Sequence, residues 1–409
     1  MSNSEHASRA DGCCRLWPDV NTHFLSLKGL PPDAVPRTAA QQVLHPLLVG
    51  FDAIAGCELK EFYRFKMHLQ RLPEAPVACP ELIQVVAAFR CWVDFDYSGA
   101  RALFIAHLHE YPGDVLTVFF VHMLDFCTGK TCDLVDVFEI CDSSVDATHP
   151  LSSFYLGIKS FVLCERVEFE QARVLGLQAV AQRPDNIYAI HGVVHALHEQ
   201  QQWAALCEFL EGCKDNWAFN PGMRMHIYWH LAIAYLMSSQ YELSTATFRE
   251  FYALKDFRYA KQDLDAVGFL WRLKLQNLED RQFDELWQDL SILWSGSIGT
   301  STSHFHNMHA AFAFAAADRP LLIDKLIAES DGFGIEPATQ QVGVDVLNAI
   351  AFFARGAYAE CYQILAASQS VWLRLGGSRA QRELLMKTMN MAQKMMPSHQ
   401  PRARLVNAL

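Results

Sequence analysis

Residues 169–184 read FEQARVLGLQAVAQRP, and residues 97–112 read YSGARALFIAHLHEYP. Each opens on an aromatic residue, Phe169 or Tyr97, and places an alanine, Ala172 or Ala100, three residues later. Each then closes on a proline, Pro184 or Pro112, with Ala179 and His107 at matching positions between. The two segments lie 72 residues apart, twice a period of 36. Apolar residues spaced by three and four share one face of a helix, because 3.6 residues complete a turn. The alanine lets a second helix approach, and the proline stops the first, since its ring removes an amide donor and crowds the preceding turn. The same spacing continues outward through Leu231, Ala234, Tyr235 and Met237, and through Phe269, Leu270 and Leu273. Strand-like alternation is scarce, so the chain is expected to be all-α, helical from about residue 35 to 396.

Tyr241 with Phe248, and Tyr358 after Gly356, repeat the aromatic that opens the second helix of a pair. This pattern resembles the tetratricopeptide repeat, which implies an α-solenoid of degenerate tetratricopeptide-like helix pairs, clearest over about 94–368. One continuous superhelix over 35–396 is then expected, in place of the two or three domains that 409 residues would suggest. A C-terminal capping helix is expected at about 378–396, with mobile tails at 1–34 and 397–409. Four segments carry a closer likeness: PLSSFYLGIKSF (150–161), AIHGVVHALHE (189–199), MHIYWHLAIAYL (225–236) and LGGSRAQRE (375–383). In that order they resemble the tetratricopeptide repeat protein 38 family, and DAVGFLWRL (265–273) and Asn307 with His309 add to the match. The likeness covers roughly residues 95 to 395, leaves the first 90 residues outside it, and implies architecture more than chemistry.

With 51% hydrophobic residues the chain can bury a large core. Its 34 Lys+Arg against 45 Asp+Glu give a net charge of −11, which argues against nucleic acid as a partner. No stretch approaches the roughly 18 apolar residues of a membrane span, and the N-terminus lacks a signal-peptide run. A cytoplasmic protein with no membrane segment is therefore expected. Its 12 cysteines form no C-x-x-C pair and read as small buried hydrophobes. Cys13 and Cys14, in the expected tail, read either as a metal-binding vicinal pair or as inert.

Five of the 17 histidines, His191, His195, His198, His226 and His230, fall within residues 191–230. His191 and His195 are i, i+4 neighbours, as are His226 and His230, so each pair projects from one face of its own helix. The repeat resemblance implies that the first helix of each pair lines a concave surface. Its register places His191, His195, His198, His226, Trp229, His230, Trp271, Arg272 and His309 on that surface. The expectation is a histidine-lined concave pocket for a small ligand. His191, His195, His226 and His230 would act as acid/base groups or as ligands to a divalent transition metal. Arg272 would join the catalytic set, and His198, Trp229, Trp271 and His309 would bind ligand. Glu199 and Asp265 are the nearby carboxylates. Ser378 and Gln381 read as a capping box, with Arg379 and Arg382 placed to hold an anion at the helix start. His122, in an apolar run, reads as a core residue, and His304 and His306 as a flexible lip. The competing reading is a non-catalytic scaffold that binds a peptide or partner protein along the groove, with self-association left open. Thr128-Gly129-Lys130-Thr131 lacks the first glycine and the preceding strand of a phosphate-binding loop, so NTPase chemistry is not expected.

Overall fold

A computed structural model describes residues 9–72, 79–255, 263–276, 281–330 and 334–396. Every regular element among these residues is a helix, and β-pairing is confined to an isolated bridge between Glu58 and Ser301. The aromatics singled out above open helices Tyr97–Glu110, Phe169–Gln182, Tyr241–Tyr252 and Tyr358–Ser368, while Trp203 opens Trp203–Gly212 and Pro320 opens Pro320–Ala328. Neighbouring helices pack as antiparallel pairs, as the repeat spacing predicts. The turns within these pairs share one conformation. Phe95, Val167, Gln201, Ser239, Asp318 and Gly356 all have positive φ, each two residues before the next helix. The following amide then donates to a carbonyl five residues back, as Glu168 N does to Leu163 O and Ala357 N to Phe352 O. This is the left-handed cap that terminates a helix by satisfying its last carbonyls.

Small residues set the spacing of the central pairs. A Cβ on Gly192 would lie 2.5 Å from Ser160 Oγ, and one on Gly157 would lie 3.0 Å from the Ala189 amide. Ser160 Oγ donates to Ala172 O across one pair and Ser244 Oγ to Ala232 O across another. Helix Ile187–Glu199 is capped by Asn186, whose Oδ1 accepts from the Tyr188 and Ala189 amides while its Nδ2 donates to Ser153 Oγ.

Three features depart from the expected open array. Residues 9–34 are not a mobile tail: a 3₁₀ turn, Arg9–Leu16, and helix Pro18–Leu25 pack onto the body. Asp114 there accepts from Cys13 N, Cys14 Sγ and both the amide and hydroxyl of Thr117, and bonds His107 at 2.8 Å. Burial, and then Asp114 itself, push both thiols well up, and both donate hydrogen bonds, Cys13 Sγ to Glu81 O and Cys14 Sγ to Asp114 Oδ1. Residues 1–8 and the expected tail at 397–409 lie outside the described residues. The second departure is closure: Leu59 N donates to Thr300 O, Thr302 N to Cys57 O, and Lys130 bridges Glu336. Early helices therefore meet late ones. Third, helix Arg379–Met395 packs on Tyr358–Ser368 as a final layer but also crosses the interior to contact Leu264–Leu275 and Ile187–Glu199.

The buried apolar residues form two large clusters, one spanning residues 13–188 and the other 187–392. The histidines of residues 191–230 lie at their seam.

Candidate functional site

Helices Ile187–Glu199 and Arg224–Met237 lie side by side at this seam, and the i, i+4 spacing turns both histidine pairs toward the shared interior. One ring nitrogen from each of His191, His195, His226 and His230 lies within 4.8 Å of the other three. His195 and His230 are fully buried, His191 nearly so, and His226 is half-buried. The rings meet mostly edge to face, with centroids 4.3 Å apart for His191 and His195 and 4.8 Å for His226 and His230.

The hydrogen bonds define tautomers. His226 Nδ1 lies 3.0 Å from both carboxylate oxygens of Asp265, so Nδ1–H donates and the Nε2 lone pair is left for another partner. His230 Nδ1 lies 3.3 Å from His198 Nδ1, and the buried His230 Nε2 has no hydrogen-bond partner. The Nε2 atoms of His191 and His195 approach to 2.7 Å, which requires one to donate to the other, and neither buried Nδ1 has a partner. Burial first, and the neighbouring imidazoles second, hold His191, His195 and His230 well below the usual histidine range. Burial takes His198 down to about 3. His191, His195 and His230 are thus neutral imidazoles with unused nitrogens, each of which costs about 1–3 kcal/mol to leave unsatisfied. Neutral imidazole is also the form that ligates zinc, iron, copper or nickel.

Asp265, weighed in the sequence beside Glu199, is the carboxylate that meets the cluster. Glu199 instead pairs with Arg379 at 3.1 Å. Trp229 stacks on His226, with ring planes 17° apart, and the Arg272 guanidinium sits 5.2 Å from the Trp229 ring. Trp229 therefore buttresses a histidine.

Several expected ligand or catalytic groups are committed elsewhere. Arg272 is completely buried; it donates to Gly268 O and Ala380 O and pairs with Glu383 at 3.0 Å. Burial works to raise the Glu383 carboxyl, but Arg272 and Lys387 overcome it and hold the group down to about 2. Trp271 donates to Thr388 Oγ1 and packs on Phe312 and Phe353. His309 Nδ1 bonds Phe305 O, and burial lowers the ring to about 4. Arg382 is buried between Glu165 and the carbonyls of Gly376 and Gly377. Four of these, counting Arg379, share a physical reason: helix Arg379–Met395 and the segment before it carry them or their partners, Ala380 and Glu383 for Arg272, Thr388 for Trp271, and Gly376 and Gly377 for Arg382. The capping box of Ser378 and Gln381 forms as expected, but the anion position does not, because both arginines are neutralised by glutamates. These charges line a cleft of about 500 Å³ with His198, Trp203 and Trp372.

His122 is a core residue, bonded to the Tyr188 hydroxyl and held down to about 3 by burial. His304 is not a flexible lip but a buried residue at the start of helix His304–Ala316, bonded to Gln340. The sequence reading missed a second cavity, of about 510 Å³, that reaches the cluster from the other side. His191, His226 and Asp265 form its inner end, and Phe24, Phe51 and Phe161 are among its walls. Phe24 and Phe51 belong to the first 90 residues, which no local motif connects with the histidines.

No model of a known protein family matches the chain, and no solved structure matches it. Among the described residues no helix is long and apolar enough to cross a membrane.

Proposed function

We propose that this chain is a tetratricopeptide-like α-solenoid, of the kind its segments share with the tetratricopeptide repeat protein 38 family, built around a histidine metal centre that serves a small-molecule pocket. His191, His195, His226 and His230 together bind one divalent transition ion. The observation that carries this reading is the convergence of four imidazoles within 4.8 Å, three of them buried and with ring nitrogens that have no partner.

Tetrahedral coordination at metal–nitrogen distances of about 2.0–2.1 Å sets ligand nitrogens roughly 3.4 Å apart, so small side-chain rotations close the set. Asp265 fixes the His226 tautomer and His198 supports His230, the outer partners that orient ligating histidines. An ion that accepts a fifth ligand would hold it on the side where His191 and His226 border the cavity. Held by these four histidines, an ion there would supply Lewis-acid activation of an oxygen or nitrogen donor. The surrounding residues hold the imidazoles neutral, orient them and exclude water. A peptide laid along the concave side would have to displace helix Arg379–Met395, which disfavours the scaffold reading.

Metal analysis tests this. Protein equilibrated with zinc or cobalt and freed of excess is expected to retain one ion per chain, and His195→Ala with His230→Ala to retain none. Asp265→Asn is expected to weaken binding ten- to a hundredfold. Equal, negligible retention by wild type and the double variant contradicts the proposal.

A further inference from the structure

We infer that the cavity beside the histidine cluster is the binding chamber for an elongated, mainly apolar small molecule, aromatic or acyl, with one oxygen or nitrogen donor at the end that meets His191 and His226. The donor end rests on the metal reading above; the apolar chamber stands on its own geometry.

At about 510 Å³ the chamber is within the range of small-molecule sites, and it lies between two buried clusters, where such sites are commonly formed. Its length comes from a side pocket of about 160 Å³ that shares Ala55, Met123, Phe126, Leu264 and Gln381 with it and extends toward Phe305. The combined space is lined chiefly by aromatic and aliphatic side chains, with His191, His226 and Asp265 among the polar groups of the larger part and Ser303 and His306 among those of the side pocket.

Charge narrows the class further. Histidines apart, the basic side chain among the chamber's lining residues is Lys28, at the rim, and its ammonium is already 3.1 Å from Asp185. Asp265 is engaged by His226, and Asp52 is exposed at the mouth. Among the described residues, a phosphate or a second carboxylate would find no further cationic side chain along these walls, and burying one unpaired is costly. A single donor can reach the imidazole end, where an ion would receive it. The remainder of the ligand is matched by Phe24, Phe51, Phe119, Phe126, Phe161 and Met123. The N-terminal residues thus acquire a role: Phe24 and Leu27 form one wall of the chamber, and Asp114 anchors the segment that carries them.

Two probes test the inference. Metal-free protein is titrated with N-phenyl-1-naphthylamine, a neutral fluorophore that brightens in apolar surroundings. One saturable site is expected, weakened at least tenfold by Ala55→Trp, at the end of helix Ala39–Ile54, and by Leu264→Trp, at the start of helix Leu264–Leu275. Circular dichroism and unchanged cobalt retention identify folded variants, and the second substitution decides if the first misfolds. Cobalt-loaded protein is then titrated with imidazole and with 4-phenylimidazole. The phenyl compound is expected to perturb the cobalt absorption at least tenfold more tightly, and to lose that advantage in the tryptophan variants. Absence of naphthylamine binding, binding unaffected by both substitutions, or equal affinity of the two imidazoles overturns the inference. Failure to bind cobalt overturns the metal reading and with it the donor end, while the naphthylamine titration still decides the chamber.

Discussion

Arg272 illustrates how one residue can stand near a site without acting in it. Its guanidinium is buried against Trp229, donates to two backbone carbonyls and pairs with Glu383. Glu383 is partly exposed and keeps Lys387, so removing Arg272 costs the charged hydrogen bonds rather than a stranded charge, about 1.5–3 kcal/mol. Arg272→Ala is therefore expected to lower unfolding free energy by that amount in urea titrations, while the fraction that remains folded still retains its ion. Loss of the ion with unchanged stability would make Arg272 a ligand-binding group after all. The four cluster histidines were legible in the sequence because i, i+4 spacing is local and the repeat register turns each pair inward. The Arg272–Glu383 pair was not, because 111 residues separate its members and nothing periodic marks the contact. Asp265 stood between these cases, visible as a carboxylate near the site but not as the partner of His226.

At the scale of the element, the helix pairs were read from their aromatic and proline punctuation, and the structure adds the left-handed turn that precedes each second helix. Five of those six turns use a residue with a Cβ, and Val167, at φ 71°, is β-branched and largely exposed. A left-handed conformation costs an L-residue about 1–2 kcal/mol, whereas glycine adopts it freely at the price of a more flexible unfolded chain. Val167→Gly is accordingly expected to stabilise the protein by about 1 kcal/mol, measured as a raised urea midpoint. A lowered midpoint would show that the turn is not strained. Helix Arg379–Met395 was legible as an element, with its capping box, but its contacts with Leu264–Leu275 and Ile187–Glu199 were not. Its amphipathic pattern indicates that one face is buried without indicating which surface buries it.

For the whole molecule, closure and the N-terminal wall were the features hidden from the sequence. The bonds of Leu59 to Thr300, Lys130 to Glu336 and Cys14 to Asp114 join residues 100 to 241 positions apart. Such contacts depend on the cumulative turn of many helices. The fold also buries titratable groups, which gives it a pH dependence. Burial lowers His122 to about 3 and His309 to about 4, against about 6.5 in an unfolded chain. The unfolded state therefore binds more protons below pH 6.5. The stability these two groups contribute is complete above that pH and is lost as pH falls toward 4 and then 3. Together they are expected to remove about 3 kcal/mol between pH 6.5 and 5, seen as a falling urea midpoint. A midpoint that stays level or rises over this interval would contradict their burial.

The central claim is that four imidazoles from two neighbouring helices, and not the cysteine-containing cluster near Asp114, hold the ion. X-ray absorption at the edge of the bound metal tests it most directly, because nitrogen and sulfur ligands differ in distance by about 0.2–0.3 Å. The predicted spectrum shows imidazole nitrogens alone in the first shell and loses its signal in the His195→Ala, His230→Ala protein. A sulfur ligand near 2.3 Å, or a spectrum unchanged by those substitutions, would contradict the account.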